Sequence, residues 1–186
     1  DLSVSRPEFP MKLCILDTPV VNDTFMMREQ ITIRATRESR ICVLVLSAHQ
    51  ALSTVDMALI RLIANVKARD IIIFVNRVDE LSDPGAQIPE VEAAIRKTLK
   101  DHQGPTEAEI IFGSGYWGNA ALSGEVGGIA EASADALLNL AEARPEIAKE
   151  ALSSEHLIWQ LSGIPELCAA LSDRIVEGDG HEAVQS

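Results

Sequence analysis

Asp79 closes a four-residue polar stretch, Asn76-Arg77-Val78-Asp79, that follows the apolar run Ile71–Val75. A carboxylate in that place can accept two neighbouring N–H donors. A guanine edge presents such a pair, N1–H and the 2-amino group; an adenine edge does not, and would leave a buried carboxylate unsatisfied. Charge-assisted hydrogen bonds and unpaired buried charges are worth roughly 1.5–3 kcal/mol each, enough for firm base selection. The same four letters also suit a polar turn, since Asn and Asp are common turn formers. Two other polar groups stand in comparable places. Asp17-Thr18-Pro19-Val20 follows Leu13–Leu16, and Gly113-Ser114-Gly115 follows Ile110–Phe112. Taken alone, the first reads equally as a strand stopped by proline, and the second as a glycine loop.

The elements around these groups decide whether they meet. Ile41–Leu46 and Ile71–Val75 are rich in Ile, Val and Leu without polar alternation, as expected for strands covered on both faces. Leu13–Leu16 and Ile110–Phe112 are shorter runs of the same kind. Between them lie helical stripes: Val55, Leu59, Leu62, Ile63 and Val66, opened by Ser53 and Asp56 in a capping-box pattern, and then Ile88, Val91, Ile95 and Leu99. A third stripe, Ile164, Leu167, Leu171 and Ile175, is opened by Ser162 and Pro165. Thr24 to Arg37 is a less regular helix, with Met27, Ile31 and Ala35 on one side. Strands alternating with helices in this way predict an α/β fold with a mostly parallel sheet. Ligands of such sheets bind beyond the carboxyl ends of the strands, where all three polar groups fall.

In this order the three groups resemble the later motifs of a P-loop GTPase: the DxxG switch, the [NT]KxD guanine motif and the SA[KL]-type loop. Ile15-Leu16-Asp17-Thr18-Pro19, Cys42-Val43-Leu44-Val45-Leu46-Ser47-Ala48 and Gln50-Ala51-Leu52-Ser53 are similar to the dynamin-like GTPases, bacterial members especially. Ser162-Gly163-Ile164-Pro165-Glu166-Leu167 resembles the start of the last G-domain helix of that family. The resemblance implies a three-layer α/β fold of the P-loop GTPase type, its mostly parallel sheet incomplete at the N-terminal side. It implies guanine contacts from Asn76, Arg77, Asp79, Ser114 and Gly115. It also implies a phosphate switch built on Asp17, Thr18 and Val20, with Asp17 reaching Mg2+ through water. The ligands would be GTP or GDP with Mg2+, and the partner a second copy, met through the G domain or an open sheet edge. The parent protein would be cytoplasmic or peripheral to a membrane, which it would touch only through segments outside this sequence. Two residues depart from the family pattern. Arg77 replaces Lys, keeping a stem and a positive head. Val20 replaces the switch glycine, keeping the N–H but stiffening the backbone, which bears on switching more than on base binding.

No glycine-rich loop ending in Gly-Lys-[Ser/Thr] occurs in the 186 residues, and no first-switch threonine is recognisable. That loop carries most of the phosphate grip in P-loop enzymes. The expectation is therefore a partial G domain over 1–177, with no catalytic residue of its own, hydrolysing GTP in the intact protein and little or none alone. The other reading is a catalytically inactive G-like binding or regulatory module that associates through its open edge. An Ala- and Gly-rich insertion at about 116–156 would carry one or two helices after a flexible entry, and 178–186 would be a flexible tail. A net charge of −12 argues against a nucleic-acid footprint and against docking on an anionic membrane. Cys14, Cys42 and Cys168 sit in apolar runs, and His49, His102, His156 and His181 are scattered, so neither a disulfide framework nor a zinc site is implied.

Overall fold

A computed structural model describes residues 2–4, 13–15, 41–50, 52, 56–57, 60 and 70–182. The chain divides into two units, Asp1–Arg40 and Ile41–Ser186. In the first, β1 (Leu2–Val4) pairs antiparallel with β2 (Leu13–Ile15), Ser3 standing opposite Cys14. The run at Leu13 is a strand as expected; its partner at Leu2 was not foreseen. The expected helix at Thr24–Arg37 lies outside the described residues. So does most of the Val55–Val66 stripe, apart from Asp56, Met57 and Ile60, which are helical.

The second unit is built on a parallel sheet of β3 (Ile41–Ser47), β4 (Asp70–Asn76) and β5 (Glu109–Phe112), in that order. Side chains alternate across a strand. Ile71, Ile73 and Val75 of β4 accordingly enter one core cluster, and Ile72 and Phe74 the other. β3 and β5 divide in the same way, Leu44 and Leu46 against Val43, and Phe112 against Ile111. This is why β4 reads as an unbroken apolar run: both of its faces are covered. The result is a three-layer α/β fold.

The first face is covered by α1 (Pro84–Asp101), α3 (Glu131–Ala143), α5 (Ser154–Leu161) and the indole of Trp117. The stripe of α1 behaves as the sequence indicates: Ile88, Ile95 and Leu99 are buried, and Val91 packs beside them. Asp83 caps it, accepting Ala86 N at 3.1 Å, with Pro84 in the first turn and the Gln87 side chain returning to Asp83 N. The second face is covered by α6 (Ile164–Glu182) through Ile164, Leu167, Ala170 and Leu171. Arg174 fastens it to Glu109 of β5 at 2.8 Å. Full burial of a branched aliphatic side chain stabilises by about 1.5–3 kcal/mol, so Ile60, Ile72, Ile73, Leu99 and Ile111 anchor the unit.

The Gly-rich entry, expected to be flexible, is helical. It forms a capped helix, α2 (Gly115–Ser123), because Ser114 accepts Trp117 N at its start and Trp117 is buried whole. Gly124, in the left-handed conformation (φ 72°), ends it. The Ala-rich stretches become α3 and α4 (Pro145–Glu150). Helix α5 was not anticipated; Ser153 caps it, and Ile158 and Leu161 seat it on the core. The polar stretch from Gly178 continues as the last turns of α6 to Glu182.

Candidate functional site

The parallel register brings the carboxyl ends of β3 and β4 level, Ser47 opposite Asn76, with Phe112 of β5 beside Val75. Ala48 N donates to Asn76 O at 2.8 Å, and Val78 N donates to Gly113 O at 3.2 Å, so the three strand-end loops are joined through backbone. The Asn76 side chain adds a second tie. Its Oδ1 accepts both Arg77 N (2.8 Å) and Gly115 N (2.9 Å). Asn76 thus joins the loop after β4 to the one after β5.

Asp79 sits in a short 3-10 turn, Val78–Glu80, held by Val78 in the core beneath it. Its carboxylate is buried and its Oδ1 takes the Ser114 hydroxyl at 2.5 Å. A carboxylate has about four lone-pair sites, so one hydroxyl leaves room for donors from a ligand. Ser114 is itself inaccessible to solvent, and its oxygen also caps α2. Its backbone is fixed from the other side, where Ser114 N donates to Ser162 O at 2.8 Å. That contact needs two glycines. A Cβ on Gly113 would stand 2.1 Å from Ser162 O, and one on Gly163, whose φ is +71°, would stand 2.3 Å from Phe112 O. Gly115 is different: a Cβ there would meet only the Asn76 amide, at 3.8 Å, so the alanine of an SA-type loop would fit.

Arg77 takes a left-handed backbone (φ 71°), and its guanidinium turns onto Glu80, with Nε at 2.8 Å and Nη2 at 2.6 Å from Oε1. The other oxygen of Glu80 reaches His49 Nε2 at 3.2 Å, so one carboxylate links the loop after β3 to the guanine-type motif. Glu80 and His49 carry no signal in the sequence beyond the i,i+3 spacing of Arg77 and Glu80. Ser162, a helix opener by sequence, also holds Ser114 through its main-chain carbonyl. Asp17, Thr18 and Val20 lie outside the described residues. Among the described residues no cluster of His, Cys, Asp and Glu could hold a metal ion, and no helix is long and apolar enough to cross a membrane.

The unit is thus a parallel sheet covered by helices, with a buried carboxylate braced by a hydroxyl beyond the carboxyl ends of its strands. The family model for the elongation factor Tu GTP binding domain matches residues 10–174, and the chain belongs to that family. Comparison with curated proteins gives no match. GTP or GDP is thereby the ligand class of the domain.

Proposed function

We propose that this chain is the guanine-nucleotide-binding portion of a dynamin-like GTPase, hydrolysing GTP in the intact protein and little or none through these residues alone. The observation that carries the reading is the buried Asp79 carboxylate, held by Ser114 beyond the carboxyl ends of β4 and β5. In this reading Asp79 accepts guanine N1–H and the 2-amino group. Asn76, Ser114 and Gly115 hold the loops around the base, and Arg77 flanks it. Asp17, Thr18 and Val20 form the phosphate-side switch, with Asp17 holding Mg2+ through water. Residues 1–177 act as one partial G domain with an insertion at about 116–156. The dynamin-like assignment rests on the Asp17-Thr18-Pro19, Ser47-Ala48 and Ser162–Leu167 stretches of the sequence.

Titration calorimetry on the protein purified at its native length tests this reading. GDP and GTP should bind in the presence of Mg2+ and ADP should not; equal binding of ADP would overturn it. Phosphate release is expected where a glycine-rich Gly-Lys-[Ser/Thr] loop accompanies these residues.

A second reading, an inactive G-like module that pairs with another chain, is favoured by one feature. β3 is an outer strand of the described sheet, and Val45 on it is 59% exposed. Light scattering that returns a monomer at all concentrations, with guanine nucleotide turned over, would remove it.

A further inference from the structure

Among the described residues the buried polar side chains are Asp79, Ser114, Ser133 and Ser162. Three belong to the site already described. The fourth, Ser133, lies on α3, between Ala132 and Ala134, in a stretch where alanine would serve packing and helix propensity better. Its hydroxyl accepts the indole Nε1–H of Trp117 at 2.8 Å. Trp117 is completely buried, and without Ser133 that donor would have no partner there. The main-chain N–H of the same Trp117 donates to Ser114 Oγ at 3.1 Å, and Ser114 Oγ donates to Asp79. A continuous path therefore runs from α3 through the indole and the cap of α2 to the buried carboxylate.

The same helix supports the turn carrying Asp79 from a second side. Ala136, Leu137 and Leu140 share the core cluster of Val78, the residue before Asp79. Asn139 Oδ1 accepts Gly85 N at 2.9 Å, in the first turn of the helix that follows the motif. A Cβ on Gly85 would stand 2.9 Å from Ala143 Cβ, so α3 and α1 are in close contact there.

We propose that Ser133 is a positioning residue for guanine recognition, acting through Trp117 and Ser114 on the Asp79 carboxylate. It makes the Ala-rich segment part of the base-binding apparatus. The inference rests on the guanine reading of Asp79. Removing the hydroxyl, as in Ser133→Ala, frees the indole to shift, moves the first turn of α2 and loosens the Ser114 hydroxyl from Asp79. Binding groups must be held within about 0.5 Å of their working geometry by such supports. The loss should fall on the donor pair that Asp79 reads.

The test uses Ser133→Ala, Trp117→Phe, their double variant and Ser133→Thr in the protein at its native length. Affinities for GDP and for inosine diphosphate, which lacks the 2-amino group, are measured alongside thermal stability. Each single variant should lower GDP affinity about two- to tenfold, the range of one lost hydrogen bond, and inosine diphosphate affinity less, narrowing the preference. The double variant should be no worse than the worse single, and Ser133→Thr should restore the preference. An unchanged GDP-to-inosine-diphosphate ratio in Ser133→Ala, whatever its melting temperature, overturns the proposal. A wild-type protein with no guanine preference overturns both the reading of Asp79 and this inference. A wild-type preference that survives Ser133→Ala overturns this inference alone.

Discussion

The carboxylate of Asp79 and the hydroxyl of Ser114, 35 residues apart in sequence, meet at 2.5 Å inside the protein. Each residue comes from the loop after a parallel strand, so their contact exists only when β4 and β5 are paired in register. Ser114 Oγ is donor to Asp79 and acceptor for Trp117 N, which makes one hydroxyl responsible for a buried charge and a helix cap together.

Ser114→Ala should therefore cost more than a surface cap. Loss of an N-cap costs about 1 kcal/mol, and a buried acceptor left unpaired adds about 1–3 kcal/mol. Denaturant unfolding should show a loss of about 2–4 kcal/mol with an unchanged slope. A loss under about 0.5 kcal/mol, the range of an ordinary surface change, would mean that the hydrogen bond does not form in solution.

Gly163→Ala should be severely destabilising, by about 3 kcal/mol or more. The left-handed backbone alone costs about 1–2 kcal/mol for an L-residue, and the new Cβ would press on Phe112 O at 2.3 Å. Gly127→Ala is the control, since a Cβ there meets nothing within 4 Å. Calorimetric melting of the two variants should differ by many degrees. Similar melting temperatures would contradict the clamp between Ser162–Gly163 and the Ser114 loop.

Glu80→Gln should leave stability within about 1 kcal/mol of wild type, because Arg77 and Glu80 are 56% and 39% exposed and exposed pairs contribute little. Any difference should shrink in high salt. Unfolding measured at low and at high ionic strength checks this. A large, salt-insensitive loss would show that the Glu80 bridge between Arg77 and His49 does more than align two loops.

Glu155 supplies a pH dependence of known sign. Its own backbone N–H at the start of α5, and then the Ser153 hydroxyl, hold its carboxyl below the usual glutamate range. A folded-state value below the unfolded one stabilises the protein above the usual carboxylate range, and that contribution is lost as pH falls through the lowered value. The group is fully exposed, so the effect is small. Side-chain NMR should place the Glu155 midpoint below that of an unstructured glutamate, and Ser153→Ala should raise it.

Much of the framework is legible in the sequence because the strands that hold the site are buried on both faces. The unbroken Ile71–Val75 run announces β4, and the Ile88–Leu99 stripe announces α1. The order of Asn76, Asp79 and Ser114 after successive strands is legible for the same reason. Other features depend on contacts that local pattern cannot carry. Six glycines between Gly113 and Gly128 hide α2, which a cap at Ser114 and the burial of Trp117 stabilise against poor propensity. The Trp117–Ser133 bond requires two helices to be packed before the pair exists. His49 and Glu80 meet on the surface across two loops, where no periodicity points to either.

The exchange Asp79→Asn tests the assignment of the guanine site most directly. An amide offers an acceptor for N1–H and a donor for the C2 carbonyl of xanthine, while it loses the second acceptor that guanine needs. Affinities of the native-length wild type and the variant for GDP and xanthosine diphosphate are compared by calorimetry. The variant should prefer the xanthine nucleotide by about tenfold or more, and the wild type the guanine nucleotide. A variant that still prefers GDP would mean that Asp79 does not read the base.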